Sequence, residues 1–162
     1  HLMWITKRLR LASEIDLQED EFLLFGKIYK LVKCKEIKND YYFQDNIIYH
    51  NNGLSKLTND SFEKINDLFN EIKSTYKLKI NPYLQLRKMK TRWGVCHYST
   101  GKIVLNKILI HVPITLIKYV IFHEFTHFYV PNHSKEFYDN LSKRLPDHKE
   151  LKKSLKKYQF LL

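Results

Sequence analysis

Between Pro113 and Pro131 no glycine or proline interrupts the chain, and a stretch of that length without a breaker is long enough for a helix and too long for an ordinary strand. Pro113 suits the first turn of a helix, where its missing N–H is no loss, and Pro131 cannot continue one. The spacing therefore predicts a helix over residues 114–129. From Leu116 to Phe128 nearly every side chain is Leu, Ile, Val, Tyr or Phe; the exceptions are Lys118, His123, Glu124, Thr126 and His127. A helix that is apolar on almost all sides is a buried one. It carries two imidazoles and a carboxylate into the interior, where such groups are costly unless a metal or close partners compensate.

Those three residues form the segment His-Glu-Phe-Thr-His, residues 123–127. On an α-helix, positions four apart differ by about 40° of rotation and about 6 Å of rise, so both imidazoles leave one face and a single ion can bridge them. Glu124 is rotated from His123 by about 100° and can lean over the open side of that ion. Zinc in such a site lowers the pKa of water from about 15.7 toward about 7, worth about 12 kcal/mol of proton release. A carboxylate one hydrogen bond away then acts as base and afterwards as acid, which is the role expected of Glu124. Catalytic zinc takes three protein ligands and keeps a fourth position open. Pro131 turns the chain back, so His133, at the start of the following helix, can reach the same ion; Glu136, three residues on, competes with it. Asn132 and Ser134 read as capping residues of that following helix.

Elsewhere the periodicity changes. Residues 21–25, 28–34, 41–43 and 47–50 are short β-rich runs separated by turn residues, the pattern of an antiparallel meander. Phe62, Ile65, Leu68, Phe69, Ile72 and Tyr76 recur at three- and four-residue spacing and predict an amphipathic helix over residues 59–76. Pro82 opens a strand-like segment over residues 83–89, and a turn at residues 99–101 leads into a short strand at 102–106, a second hairpin. Phe137, Leu141 and Leu145 mark a helix stopped at Pro146, and Leu151, Leu155 and Tyr158 a final Lys-rich one. The expected class is α+β, divided into a β-rich part over residues 4–58, with Met3 as the natural start, and a core over residues 59–162 that forms one compact unit with it.

The formal net charge is +11, which draws polyanions. Only five of the 28 basic residues are arginines (Arg8, Arg10, Arg87, Arg92 and Arg144), whereas planar recognition of phosphates and bases favours Arg. The two cysteines, Cys34 and Cys96, form no CxxC pair, which argues against a disulfide framework or a cysteine zinc ribbon and fits a reducing cytoplasm. The longest apolar run is far short of a membrane span, and no signal-like segment is expected.

Several ordered motifs carry a resemblance. Met89-Lys90-Thr91-Arg92-Trp93-Gly94-Val95-Cys96, Ile103-Val104-Leu105-Asn106, Tyr119-Val120-Ile121 before the His-Glu-Phe-Thr-His segment, Asn132-His133-Ser134-Lys135-Glu136-Phe137 and Leu145-Pro146-Asp147 together resemble the YgjP-like metallopeptidase domain. The resemblance implies a minimal zincin-like core with a small mixed sheet, similar to the SprT and WLM proteases. It also implies one zinc ion per chain, with His123, His127 and His133 as ligands and Glu124 as the catalyst. Two departures stand out: Val95 replaces the usual serine, and the region before Asn59 is shorter than usual. Around the site, Arg92, Asn106 and Tyr138 are candidates for contacts to substrate or transition state, with Tyr129 and His148 behind them; Trp93 reads as core.

A peptidase is the leading expectation, with an edge strand such as residues 102–106 pairing with a peptide or protein substrate. A nucleoside triphosphate pyrophosphohydrolase would use the basic surface, although no Gly-rich phosphate loop is present. A DNA-associated, SprT-like protease would use the lysines of residues 149–157. A structural zinc domain would have no use for Glu124.

Overall fold

The computed structural model describes residues 17–162. Met3 and the first part of the expected 4–58 unit lie outside the described residues. Strands β1 (Glu21–Leu24) and β2 (Lys27–Lys33) form a hairpin whose two turn residues, Phe25 and Gly26, have φ of 47° and 81°. Two consecutive positive φ values make a type I′ turn, whose twist matches that of the flanking strands. A Cβ at Gly26 would lie 2.5 Å from Cγ of Pro113, so glycine lets this hairpin sit against the start of the apolar helix. Backbone bonds from Phe25 N to Ile110 O (2.7 Å) and from Gly26 N to His111 O (3.3 Å) fasten it there.

Strands β3 (Tyr41–Gln44) and β4 (Ile47–His50) make a second hairpin, but β4 pairs in parallel with β2, giving the order β1-β2-β4-β3. The expected antiparallel meander is thus corrected to a mixed sheet. Residues 34–40 provide the reason: that connection is long enough to carry β3 past one strand position, about 10 Å from β2, and leave room for β4 between them.

Helix α1 (Leu54–Ser74) starts earlier than its periodicity suggested, because Leu57 extends the buried stripe of Ile65, Leu68, Phe69 and Ile72 by two turns. In the second sheet β5 (Tyr83–Arg87), β6 (Gly94–His97) and β7 (Lys102–Asn106) are ordered β5-β7-β6. The turn at residues 99–101 closes a hairpin as expected, but its first strand is β6; the 83–89 segment expected there supplies β5, which joins β7 in parallel. Residues 102–106 therefore form the central strand, and the role expected of them as an edge is excluded. The apolar Ile103-Val104-Leu105 core, buried on both faces, is what a central strand requires.

A 3-10 turn (Lys107–His111) leads to α2 (Ile114–Thr126), followed by α3 (Lys135–Ser142) and α4 (His148–Lys156). Helix α2 packs against α1, α3, α4 and β6 and buries Leu116, Ile117, Tyr119, Val120, Ile121 and Phe125, as an all-apolar helix must. Phe125 meets Phe69 at 5.2 Å and stacks on Tyr76 at 4.7 Å between ring centroids. Leu23 and Ile48 of the first sheet belong to the same buried cluster as Leu105 of the second. Among the described residues no helix is long and apolar enough to cross a membrane.

Candidate metal centre

Helix α2 ends at Thr126, and His127 is its C-cap, still in right-handed helical geometry (φ −64°, ψ −17°). His123 and His127 consequently keep the one-turn relation of a continuous helix, with ring centroids 5.1 Å apart. The chain then turns through Pro131 and enters α3, capped by the Ser134 hydroxyl, which accepts from Phe137 N, while Asn132 Oδ1 accepts from Ser134 N. That turn returns His133 to the site. Its Nε2 lies 2.8 Å from Nε2 of His123, and ligand atoms of the three histidines all fall within 4.8 Å of one another. Glu136 is not part of this group.

Two ring nitrogens at 2.8 Å need a proton or a cation between them. Tetrahedral zinc, with Zn–N bonds of about 2.0–2.1 Å, sets its ligands about 3.3 Å apart, so the observed spacings bracket the requirement. Phe137, fully buried, packs against all three imidazoles at centroid distances of 4.8, 4.7 and 4.8 Å and limits their rotation. His127 Nδ1 donates to Val130 O at 3.2 Å, which leaves Nε2 as its free ligand atom. Burial, then the neighbouring His127, His133 and Lys152, holds His123 neutral with a pKa down at about 3. His127 and His133 are also lowered, chiefly by burial. Neutral imidazole is the ligating form, so the residues present fit a divalent metal.

Glu124 is 5% exposed. Burial raises its carboxyl to about 8, against the lowering effects of a hydrogen bond from the Cys96 backbone and of the Arg92 charge. A Cβ at position 94 would lie 2.7 Å from Oε1 and 2.9 Å from Cγ of Glu124. Gly94 thus opens β6 to this carboxylate by close approach. Above the site runs a cleft of about 620 Å³ that includes Arg92, Trp93, Cys96, Tyr98, Lys152 and Lys156 in its walls, beside the three histidines and Glu124.

A family model described as YgjP-like, metallopeptidase domain, matches residues 1–158. The chain belongs to the YgjP-like metallopeptidase family. Among solved structures, the metallopeptidase zymogen jannalysin of Methanocaldococcus jannaschii is similar at 26% identity and a TM-score of 0.51, over 60% of this chain and 97% of that one. The zymogen abylysin of Pyrococcus abyssi aligns at 20% identity and a TM-score of 0.44, over 60% of this chain and 90% of that one. No curated protein matches. Family membership makes the chain a metal-dependent peptidase and the three-histidine cluster a place where its metal can be held.

The remaining candidates separate. Arg92 and Trp93 line the cleft, and Trp93 also packs on the core. Asn106 does not line it: the buried amide accepts from Met89 N (3.3 Å) and Ile108 N (3.2 Å) and donates to Met89 O and Arg92 O (both 2.9 Å). With its capacity taken up by backbone, Asn106 clamps the loop that leads to Trp93, which corrects its expected role as a substrate contact. Tyr138 stands behind the ligands, its ring stacked on His133 (6.4 Å) and His148 (5.8 Å) and its hydroxyl accepting from Lys152 Nζ (3.1 Å). Tyr129 lines a different cavity, with Tyr76, Asn140 and Arg144. Sequence reasoning missed Lys152, Lys156 and Tyr98 as cleft residues; Lys152 and Lys156 stand one helical turn apart, a spacing that marks a common face without showing where it points.

Proposed function

We propose that this protein is a zinc peptidase in which His123, His127 and His133 hold the ion and Glu124 manages the proton of the attacking water. The convergence of three neutral imidazoles beside a buried carboxylate carries this reading. Zinc in such a donor set supplies the Lewis acidity that makes water a nucleophile near neutral pH. Glu124 takes the water's proton and returns it to the departing amine. Burial raises the proton affinity of this carboxyl, which strengthens it as a base. Buried against Gly94, it has little freedom to swing away.

The free edge of β6 replaces residues 102–106 as the strand on which an extended peptide or protein substrate lies, since β6 pairs only with β7 among the described residues and runs along the cleft. Arg92, near Glu124, is placed to stabilise negative charge that develops on the scissile carbonyl. The first sheet, through the β1–β2 turn at Phe25 and Gly26, supports the start of α2 rather than contributing ligands. The unpaired thiols of Cys34 and Cys96 fit a reducing compartment such as the cytoplasm.

The deciding experiment incubates zinc-loaded protein and its Glu124→Gln variant with an unstructured protein and, separately, with nucleoside triphosphates. Cleavage of the protein by wild type alone is expected. The basic residues in the cleft favour nucleoside triphosphate hydrolysis as a second reading; turnover of the nucleotide with no peptide cleavage replaces the first by the second.

A further inference from the structure

The cleft beside the histidines is electrically lopsided. Arg92 stands on one wall, Lys152 and Lys156 of α4 on another, and Glu124 is the only carboxylate among its lining residues. Ion pairs among the described residues join Lys30 to Asp20, Lys56 to Asp60 and Lys118 to Glu71, all outside this cleft. Lys152 and Lys156 are four apart on one helix, where like charges repel. Lys152 is nevertheless held in place: its Nζ donates to Tyr138 Oη at 3.1 Å and lies 5.1 Å from the centroid of that ring. Two ammonium groups on the wall of a concave, partly apolar site focus a positive potential into it. A ligand carboxylate would complete them.

We propose that the cleft selects peptides bearing an aspartate or glutamate side chain next to the scissile bond, and that Lys152 and Lys156 read that carboxylate. This rests on the peptidase reading above and adds its substrate class. A peptide is favoured over a nucleoside triphosphate because the cations come from two separate elements, the segment before β6 and α4, and share the lining with Trp93, Tyr98 and Leu155 beside a free strand edge. A triphosphate calls for donors converging on one point, as in a cradle of backbone N–H groups.

The test compares kcat/KM for two fluorogenic peptides that differ only by Glu or Gln beside the cleaved bond, the bond itself being located first from the products of an unstructured protein. Wild type is expected to prefer the Glu peptide by about fivefold, the scale of a partly exposed ion pair. The ratio falls toward one in K152Q/K156Q, and K152E/K156E prefers a Lys peptide. The same neutralisations at Lys149 and Lys153, which are outside the cleft lining, keep the wild-type ratio. Fluorescence anisotropy of the same peptides on the Glu124→Gln protein reads the preference without turnover. Equal use of Glu and Gln peptides by wild type overturns the inference and leaves the peptidase reading standing; so does a ratio that drops as much in K149Q/K153Q as in K152Q/K156Q. Failure to cleave any peptide, with hydrolysis of a nucleoside triphosphate, overturns both.

Discussion

His111 and His123 are both taken out of water, one just before α2 and one within it. His111 is 1% exposed, bonds through Nδ1 to Leu23 O at 2.6 Å, and meets the ring of Phe22 edge-on at 5.5 Å. Burial holds its pKa down at about 4. His123 is driven lower still, yet its buried Nδ1 has no hydrogen-bond partner among the described residues and its Nε2 faces another imidazole. One histidine is closed by its surroundings and the other is left open toward a shared point. Burial and a depressed pKa are common to both, so neither identifies a metal site; the convergence of ring nitrogens from His123, His127 and His133 does.

The difference can be broken apart experimentally. Replacing His127 by Ala is expected to remove the metal, lowering bound zinc from about one per chain to a small fraction and abolishing peptide cleavage. His111→Ala should retain full zinc stoichiometry by elemental analysis while losing stability. If His111→Ala also lost its zinc with the fold intact by circular dichroism, the two histidines would not be separable. Next in size, Glu124→Gln should lower kcat by about 10² to 10⁴ with zinc still bound; a loss smaller than tenfold would assign the proton transfer to another group.

Acid should weaken the closed site in a defined window. His111 has a folded pKa of about 4 against an ordinary 6.5, so the unfolded chain binds more protons between those values. Its contribution is fully present above pH 6.5 and lost as pH falls to 4, about 3 kcal/mol at 1.36 kcal/mol per pH unit. Urea melts of wild type and His111→Gln across that range should show a steeper decline in wild type. The smallest effect is expected at Gly94→Ala: crowding of the Glu124 carboxylate should cost about 1–3 kcal/mol and lower kcat, with KM and zinc content less affected. An unchanged kcat would mean that the carboxylate tolerates displacement.

Much of the centre was legible because helical geometry is rigid: residues 123 and 127 must share a face, and Pro131 must turn the chain. The return of His133 needed more than spacing, since Glu136 met the same periodic criterion; the Ser134 cap and the packing of Phe137 decide it. Strand order was less legible, because alternation marks strands without saying which neighbours they take. Residues 34–40 let β4 slip between β2 and β3, and β5 pairs with β7 across the intervening β6 segment of the chain. The Ile103-Val104-Leu105 run already hinted at a central strand. Asn106 was misjudged because an amide beside a predicted site looks available until its four backbone bonds are seen.

The contact between Gly94 and Glu124 also gives a way of sorting relatives. The space a side chain at position 94 would occupy is held by the carboxylate at 124, so the two positions can hold a full complement of atoms only one at a time. Where a descendant has lost the glutamate, the constraint on its partner lapses and larger residues become admissible there. With Glu124 in its proposed role, a bulky residue at the glycine's place is then a molecular fossil: a sign, readable before any assay, of a lineage that has kept the scaffold without the carboxylate.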